Sequence, residues 1–143
     1  MSEENKAIAR GVFEAWEAGD LDRLDDLVAP EVVDHDPYNP HGSEGLEGLK
    51  KTIAMYREAF PDLQYTIEDQ IAEGDMVVTR WTGTGTHEGE LMGAAPTGKK
   101  ASVTGIGIDR IENGKIVEAW GNWDTLRLMQ NIGLIPEQEP AQA

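Results

Sequence analysis

The chain has 143 residues, enough for one domain with a core of ordinary size, and carries 27 Asp and Glu against 12 Lys and Arg, a formal charge of −15 at pH 7. Acids spread along the whole length repel a phosphate backbone or an anionic leaflet at every approach, so nucleic acid and membrane surfaces are excluded as partners. The absence of cysteine removes disulfides, thiolate nucleophiles and zinc-thiolate sites, and the polar start MSEENKAIARG, with no apolar run of spanning length after it, makes the cytoplasm the default location.

Ser2 and Asn5, with Glu3 and Glu4, open a helix whose Ile8, Val12, Ala15 and Trp16 recur at helical spacing until Gly19 stops it. Asp20 caps a short second helix carrying Leu21, Leu24, Leu27 and Val28, ended by Pro30. Val32 and Val33 form a brief strand before the polar loop from Asp34 to Gly42, and a third helix from about Ser43 to Phe60 uses Leu46, Leu49, Ile53 and Tyr56 as its stripe. The period then changes to two. Strands are expected at 63 to 72, 76 to 87, 100 to 112 and 115 to 123, joined by Gly74-Asp75, by the loop Glu88 to Lys99 and by Asn113-Gly114. Helices first and an antiparallel meander afterwards give an α+β order in a single domain over 1–143, with Pro136 to Ala143 as a mobile end.

The last strand runs into a final helix, Leu126, Leu128, Met129 and Ile132 recurring before Gly133, and Asp124 stands at the joint. A two-residue turn at Asn113-Gly114 pairs Ile111 with Ile116, Gly107 with Trp120, Gly105 with Asn122 and Val103 with Asp124. Bare glycines opposite an aromatic and an amide either let the ring lie on backbone or leave a hollow that a ligand fills. Two readings of Asp124 stand: an N-cap and nothing more, or a general base. Trp120 is core or ligand platform, His87 a strand-end surface residue or part of the pocket, and His35 and Tyr38 line the cavity mouth or cap an exposed loop. The spacing of His35, His41 and His87 matches no metal-ligand motif. By turn counting from Gly74, Arg80 lies on the side of Tyr65 and Ile67, and Trp81 on the side of Thr66 and Glu68; which side is inner stays open. The loop Gly89 to Gly98 has no phosphate-binding spacing, and it exposes Leu91 and Met92 either to fold over a cavity, to meet a second subunit or simply to water.

Several stretches together resemble one family: His35-Asp36 before a loop, AFPDL at 59–63, RWTGTGTHEGELMGAAPTGK at 80–99, and RIENGKIVEAW followed by Asp124. They resemble the SnoaL-like polyketide (ester) cyclases of the nuclear-transport-factor-like, or cystatin-like, superfamily. The resemblance implies a cone-shaped cavity enclosed by a curved antiparallel sheet and N-terminal helices. It also implies a homodimer through the outer sheet face, no cofactor and no metal, and acid/base chemistry by an aspartate on the last long strand, which Asp124 matches. Such enzymes commonly carry a histidine on the preceding strand, where Ser102 to Ile108 here has none. The expected site is therefore catalytic Asp124 with His35, Tyr38, Trp81, His87, Trp120 and Asn122 binding a small apolar carbonyl substrate. Non-catalytic ligand binding and epoxide-hydrolase-like chemistry are the alternatives.

Overall fold

A computed structural model describes residues 2–136, and the remainder of the expected mobile end lies outside them. Helix α1 (Ser2–Ala18) ends at Gly19, whose φ of +67° is readily adopted by glycine. Asp20 accepts from the Arg23 backbone N–H at 3.3 Å, capping the turn that leads into α2 (Leu24–Leu27). This second helix is shorter than expected. Strand β1 (Val28–Asp34) already begins where the helical stripe was expected to continue, and it contains Pro30. A proline without an N–H is tolerated there because β1 is an edge strand. Helix α3 (Gly45–Ala59), strands β2 (Gln64–Glu73), β3 (Met76–Thr86), β4 (Lys100–Glu112) and β5 (Lys115–Trp123), and helix α4 (Thr125–Asn131) follow the expected order.

The strands form one curved, unclosed sheet in the order β1-β5-β4-β3-β2. All neighbours are antiparallel except β1, which runs parallel to β5 and adds an edge to the expected meander. Asn113 and Gly114 both have positive φ, 52° and 79°, the backbone signature of a tight hairpin turn matched to strand twist.

Two bulges correct the expected register. Val117 is extra in β5, so Ile111 still faces Ile116, but Ile108 faces Trp120, Gly107 faces Gly121 and Gly105 faces Trp123. Glu68 is extra in β2, which puts Trp81 opposite Ile67 and Arg80 opposite Asp69. One extra residue in a period of two moves every following side chain to the other face.

Apolar packing is divided in two. One cluster joins α1, α2, α3 and β1 to the turn end of the sheet through Ala9, Leu24, Val28, Ile53, Val77 and Ile116. The second gathers Ala59, Phe60, Leu91, Ala101, Leu128 and Ile132 under α4 and the loop after β3. Leu91 is fully buried there, against the expectation of exposure, while Met92 beside it is 51% exposed. The Glu88 and Gly89 backbone N–H groups both donate to the Ala59 carbonyl, tying this loop down onto the end of α3.

Candidate active site

Between the two clusters, over the inner face of the sheet, lies a cavity of about 220 Å³. Its floor follows from register. One row across the sheet runs Val77, Asp109, Ala119, Asp34. The next runs Thr79, Gly107, Gly121, and a Cβ built on Gly121 would lie 3.8 Å from the Cβ of Asp36. The third runs Trp81, Gly105, Trp123. Carboxylates therefore border one side of a bare glycine floor and indoles the other. The roof is aromatic as well: Phe13 of α1 meets Tyr65 edge-on at 5.3 Å, and Tyr56 of α3 meets Trp123 edge-on at 6.0 Å.

The cavity is anionic by inventory. Asp34, Asp36 and Asp109 line it, and among the described residues no Lys or Arg does. The Asp34 carboxylate accepts from the Asp36 backbone N–H at 2.9 Å and from the Asn39 amide at 2.8 Å, so it shapes the loop at the mouth. Asn39 in turn accepts from the Thr52 hydroxyl at 2.7 Å, fastening that loop to α3. For the Asp109 side chain there is no hydrogen-bond partner among the described residues. Burial pushes the Asp109 carboxyl up to about 7, and the Asp34 charge on the same row adds to the shift. Asp36 is also raised, first by burial, with the Tyr38 N–H opposing and the Asp34 charge reinforcing. The Tyr56 phenol is pushed up to about 12 by burial and then by Asp36, so it remains a hydrogen-bond donor at neutral pH.

Among the residues expected at the site, Tyr38, Trp81, Trp120 and Asn122 line the cavity. Their roles differ from expectation. Trp81 lies on the inner face, its indole over Gly105, whereas Arg80 points outward and pairs with Asp69 at 2.6 Å. Because of the Val117 bulge, Trp120 is on the outer face, its ring stacked on His35 at 5.3 Å; its carbonyl comes within 3.6 Å of where a Gly107 Cβ would sit. Asn122 is exposed, opposite Ile106.

His35, His87 and Asp124 do not line the cavity. His35 lies outside, 2.8 Å from Glu118. His87 is fully buried beneath the loop it precedes; its Nδ1 accepts from the Thr97 backbone N–H at 3.2 Å, and its Nε2 has no partner among the described residues. His41 pairs with Glu44 at the mouth loop, so the three histidines occupy three separate places. Asp124 is exposed and accepts from the Arg127 backbone N–H at 2.9 Å as the N-cap of α4. It follows directly on Trp123, the last residue of β5, whose side chain takes the inward position. Asp124→Asn is therefore expected to lower stability by less than about 1 kcal/mol, since Asn caps nearly as well, and to leave ligand binding unchanged. Thermal denaturation and a binding titration check both halves.

The family profile described as SnoaL-like polyketide cyclase matches residues 6–132. The chain belongs to the SnoaL-like polyketide cyclase family. It is similar to the aklanonic acid methyl ester cyclase AcmA of Streptomyces galilaeus, 32% identical over 117 residues that cover 81% of each chain. Among solved structures it is similar to AclR of Streptomyces galilaeus, described as a candidate hydroxylase, with a TM-score of 0.85 and 31% identity over 97% of this chain and 87% of the other. IdmH of Streptomyces antibioticus, described as a candidate polyketide cyclase, gives a TM-score of 0.80 and 33% identity over 90% of this chain and 98% of its own. Membership in this cyclase family supports an enzyme. Among the described residues, no helix of this SnoaL-like chain is long and apolar enough to cross a membrane.

Sequence reasoning passed over Asp34, Asp36, Tyr56 and Asp109. For Asp109 a signal existed: the alternate positions Ala101, Val103, Gly105, Gly107, Asp109 and Ile111 of β4 hold one charge on an otherwise apolar stripe. Asp34 had no comparable signal, because as the last residue of β1 it opens a run of polar residues, and Asp36 was marked only as part of the His35-Asp36 pair that resembles the family, without a role.

Proposed function

We propose that this SnoaL-like chain is a cofactor-independent cyclase that closes a ring by intramolecular aldol addition within a small, apolar, polyketide-like carbonyl compound, and that Asp109 is its acid/base group. The observation that carries the reading is a lone carboxyl on the apolar stripe of β4, opening on the cavity, with its pKa raised to about 7. A base is most useful when its pKa lies near the working pH. In the proposed reaction Asp109 takes the proton from a carbon between two carbonyls, and the electron pair left behind is delocalised into the enolate. That carbon then bonds to a ketone carbon of the same molecule, and the resulting alkoxide recovers the proton from Asp109. The product is an isomer of the substrate, and the protonated Tyr56 hydroxyl is available to hydrogen-bond the developing enolate oxygen. Arg80 points away from the cavity, which disfavours an epoxide-hydrolase arrangement needing an arginine between two carboxylates.

The test is a panel of β-dicarbonyl esters bearing a second ketone, incubated with the protein in D₂O. Enzyme-dependent exchange of the hydrogen between the carbonyls, followed by a ring-closed isomer of the substrate that carries a new C–C bond and a new hydroxyl and whose mass differs from the substrate's only by deuterium incorporation, is the expected result. Compounds that bind in the cavity and are recovered unexchanged and unchanged would replace the cyclase reading with simple ligand binding.

The same reading includes a cytoplasmic location and a homodimer. Supporting the dimer, Ile71, Val78, Ile108 and Trp120 are successive cross-strand neighbours on the outer face of the sheet, and Ile71 is 67% exposed. Sedimentation at micromolar concentration is expected to give a dimer that Ile71→Glu dissociates; a wild-type monomer would remove this part of the proposal.

A further inference from the structure

Strand β4 carries two inward-facing glycines in very different surroundings. At Gly105 an added Cβ would lie 2.3 Å from Cζ2 and 2.6 Å from Cε2 of Trp81, and 2.8 Å from Cβ of Trp123. Packing alone accounts for that glycine, because the Trp81 indole lies directly on its backbone. At Gly107 an added Cβ would meet only the Trp120 carbonyl oxygen, at 3.6 Å, an ordinary contact. Its φ lies outside the positive range, so the backbone there accepts any residue. A glycine within a strand weakens it, through chain entropy and the absence of a side chain to pack. Neither a close approach nor a turn explains why β4 leaves this position bare. The facing residue, Gly121, is equally bare, with the Asp36 side chain 3.8 Å from its Cβ position. Together they open a shallow slot of backbone beside Asp109 and in front of Trp81 and Trp123.

We propose that Gly107 is a specificity-determining residue whose missing side chain sets how wide a flat ligand ring can lie beside Asp109. This inference deepens the cyclase reading and rests on it only for the ligand's chemistry, a ring bearing a carbonyl. The slot is floored by paired backbone and edged by indoles, so it matches the thickness and apolar faces of a planar ring. A valine at 107 would project into that space, and one wrongly placed methyl or methylene group in an apolar pocket changes affinity by about tenfold or more.

The test uses the full chain and 6-propionyl-2-(dimethylamino)naphthalene, a neutral, flat aryl ketone whose emission reports an apolar environment. Wild type is expected to bind it, Gly107→Ala to bind more weakly, and Gly107→Val to lose affinity by about tenfold or more. Both variants should melt at or above the wild-type temperature, and both should keep wild-type affinity for acetylacetone, which is too small to need the slot. Equal naphthyl-ketone affinity in wild type and Gly107→Val overturns the proposal. So does a wild type that does not bind the probe, or a Gly107→Ala protein that fails to fold, since the position would then lack the open space on which the inference stands. The cyclase reading is tested separately, by deuterium exchange and ring closure of the β-dicarbonyl esters, and a negative result there leaves the comparison of probe affinities as it is.

Discussion

Replacing Asp109 by Asn is expected to lower the rate of ring closure by about 10²- to 10⁴-fold while making the protein more stable at alkaline pH. The two effects have one cause. The carboxyl sits where burial and the Asp34 charge hold its pKa at about 7, against about 3.9 in an unfolded chain. Between those values the native state keeps a proton that the unfolded state has released, so raising the pH favours unfolding. Wild-type stability should fall by about 1.4 kcal/mol per pH unit across that window, reaching a total of about 4 kcal/mol above neutrality. The Asn variant has no such proton to lose. Its stability curve should meet that of the wild type near pH 4 and exceed it by a few kcal/mol at about pH 8, as read by urea unfolding at each pH. A residue held only for structure would give the opposite result, a variant less stable at every pH. Loss of rate with gain of stability marks a group kept for chemistry.

Gly105→Ala is expected to destabilise the protein by about 1–3 kcal/mol, the range for forcing atoms into a packed site. The added methyl would have to displace the Trp81 ring, whose atoms stand 2.3 and 2.6 Å away. That ring cannot move freely, since Tyr65 packs edge-on against it at 5.3 Å and Phe13 at 6.2 Å. The displaced indole would enter the cavity, so binding of aromatic ligands should weaken together with the melting temperature. Thermal denaturation of Gly105→Ala beside Gly107→Ala gives the comparison its force: two glycines in one strand, two residues apart, with opposite expected signs.

The elements were largely legible because each carries its own local signal. The helical stripes, the change to a two-residue period after Pro61 and the Asn113-Gly114 turn located α1, α3 and the four long strands to within about a residue or two. The site was not legible in the same way, because which residues face inward depends on register. Counting back from the turn gave the correct pair at Ile111 and Ile116, and one bulged residue, Val117, reversed everything beyond it. That bulge turned Trp120 and Asn122 outward and brought Ala119, Gly121 and Trp123 in. Glu68 did the same for the partners of Trp81. Neither bulge is marked by a glycine or proline, so no local residue choice announces it. β1 was foreseeable only as a short strand, since its parallel partner lies more than eighty residues away in the chain. The inner face of β4 was readable nonetheless: its alternation is unbroken from Ala101 to Asp109, and the single acid on that stripe is the group at the centre of the proposed chemistry.

The most direct test of that assignment needs no substrate. A ¹³C NMR titration of the Asp109 side-chain carboxyl, assigned by its absence in Asp109→Asn, reports the ionisation of this group alone. A midpoint near 7 is expected, where burial and Asp34 hold it, and a lower midpoint in Asp34→Asn, where one of the two causes is gone. A midpoint near 4, the value of an aspartate in water, would rule out Asp109 as the acid/base group, because it would then be an ordinary carboxylate with no special fitness to move a proton.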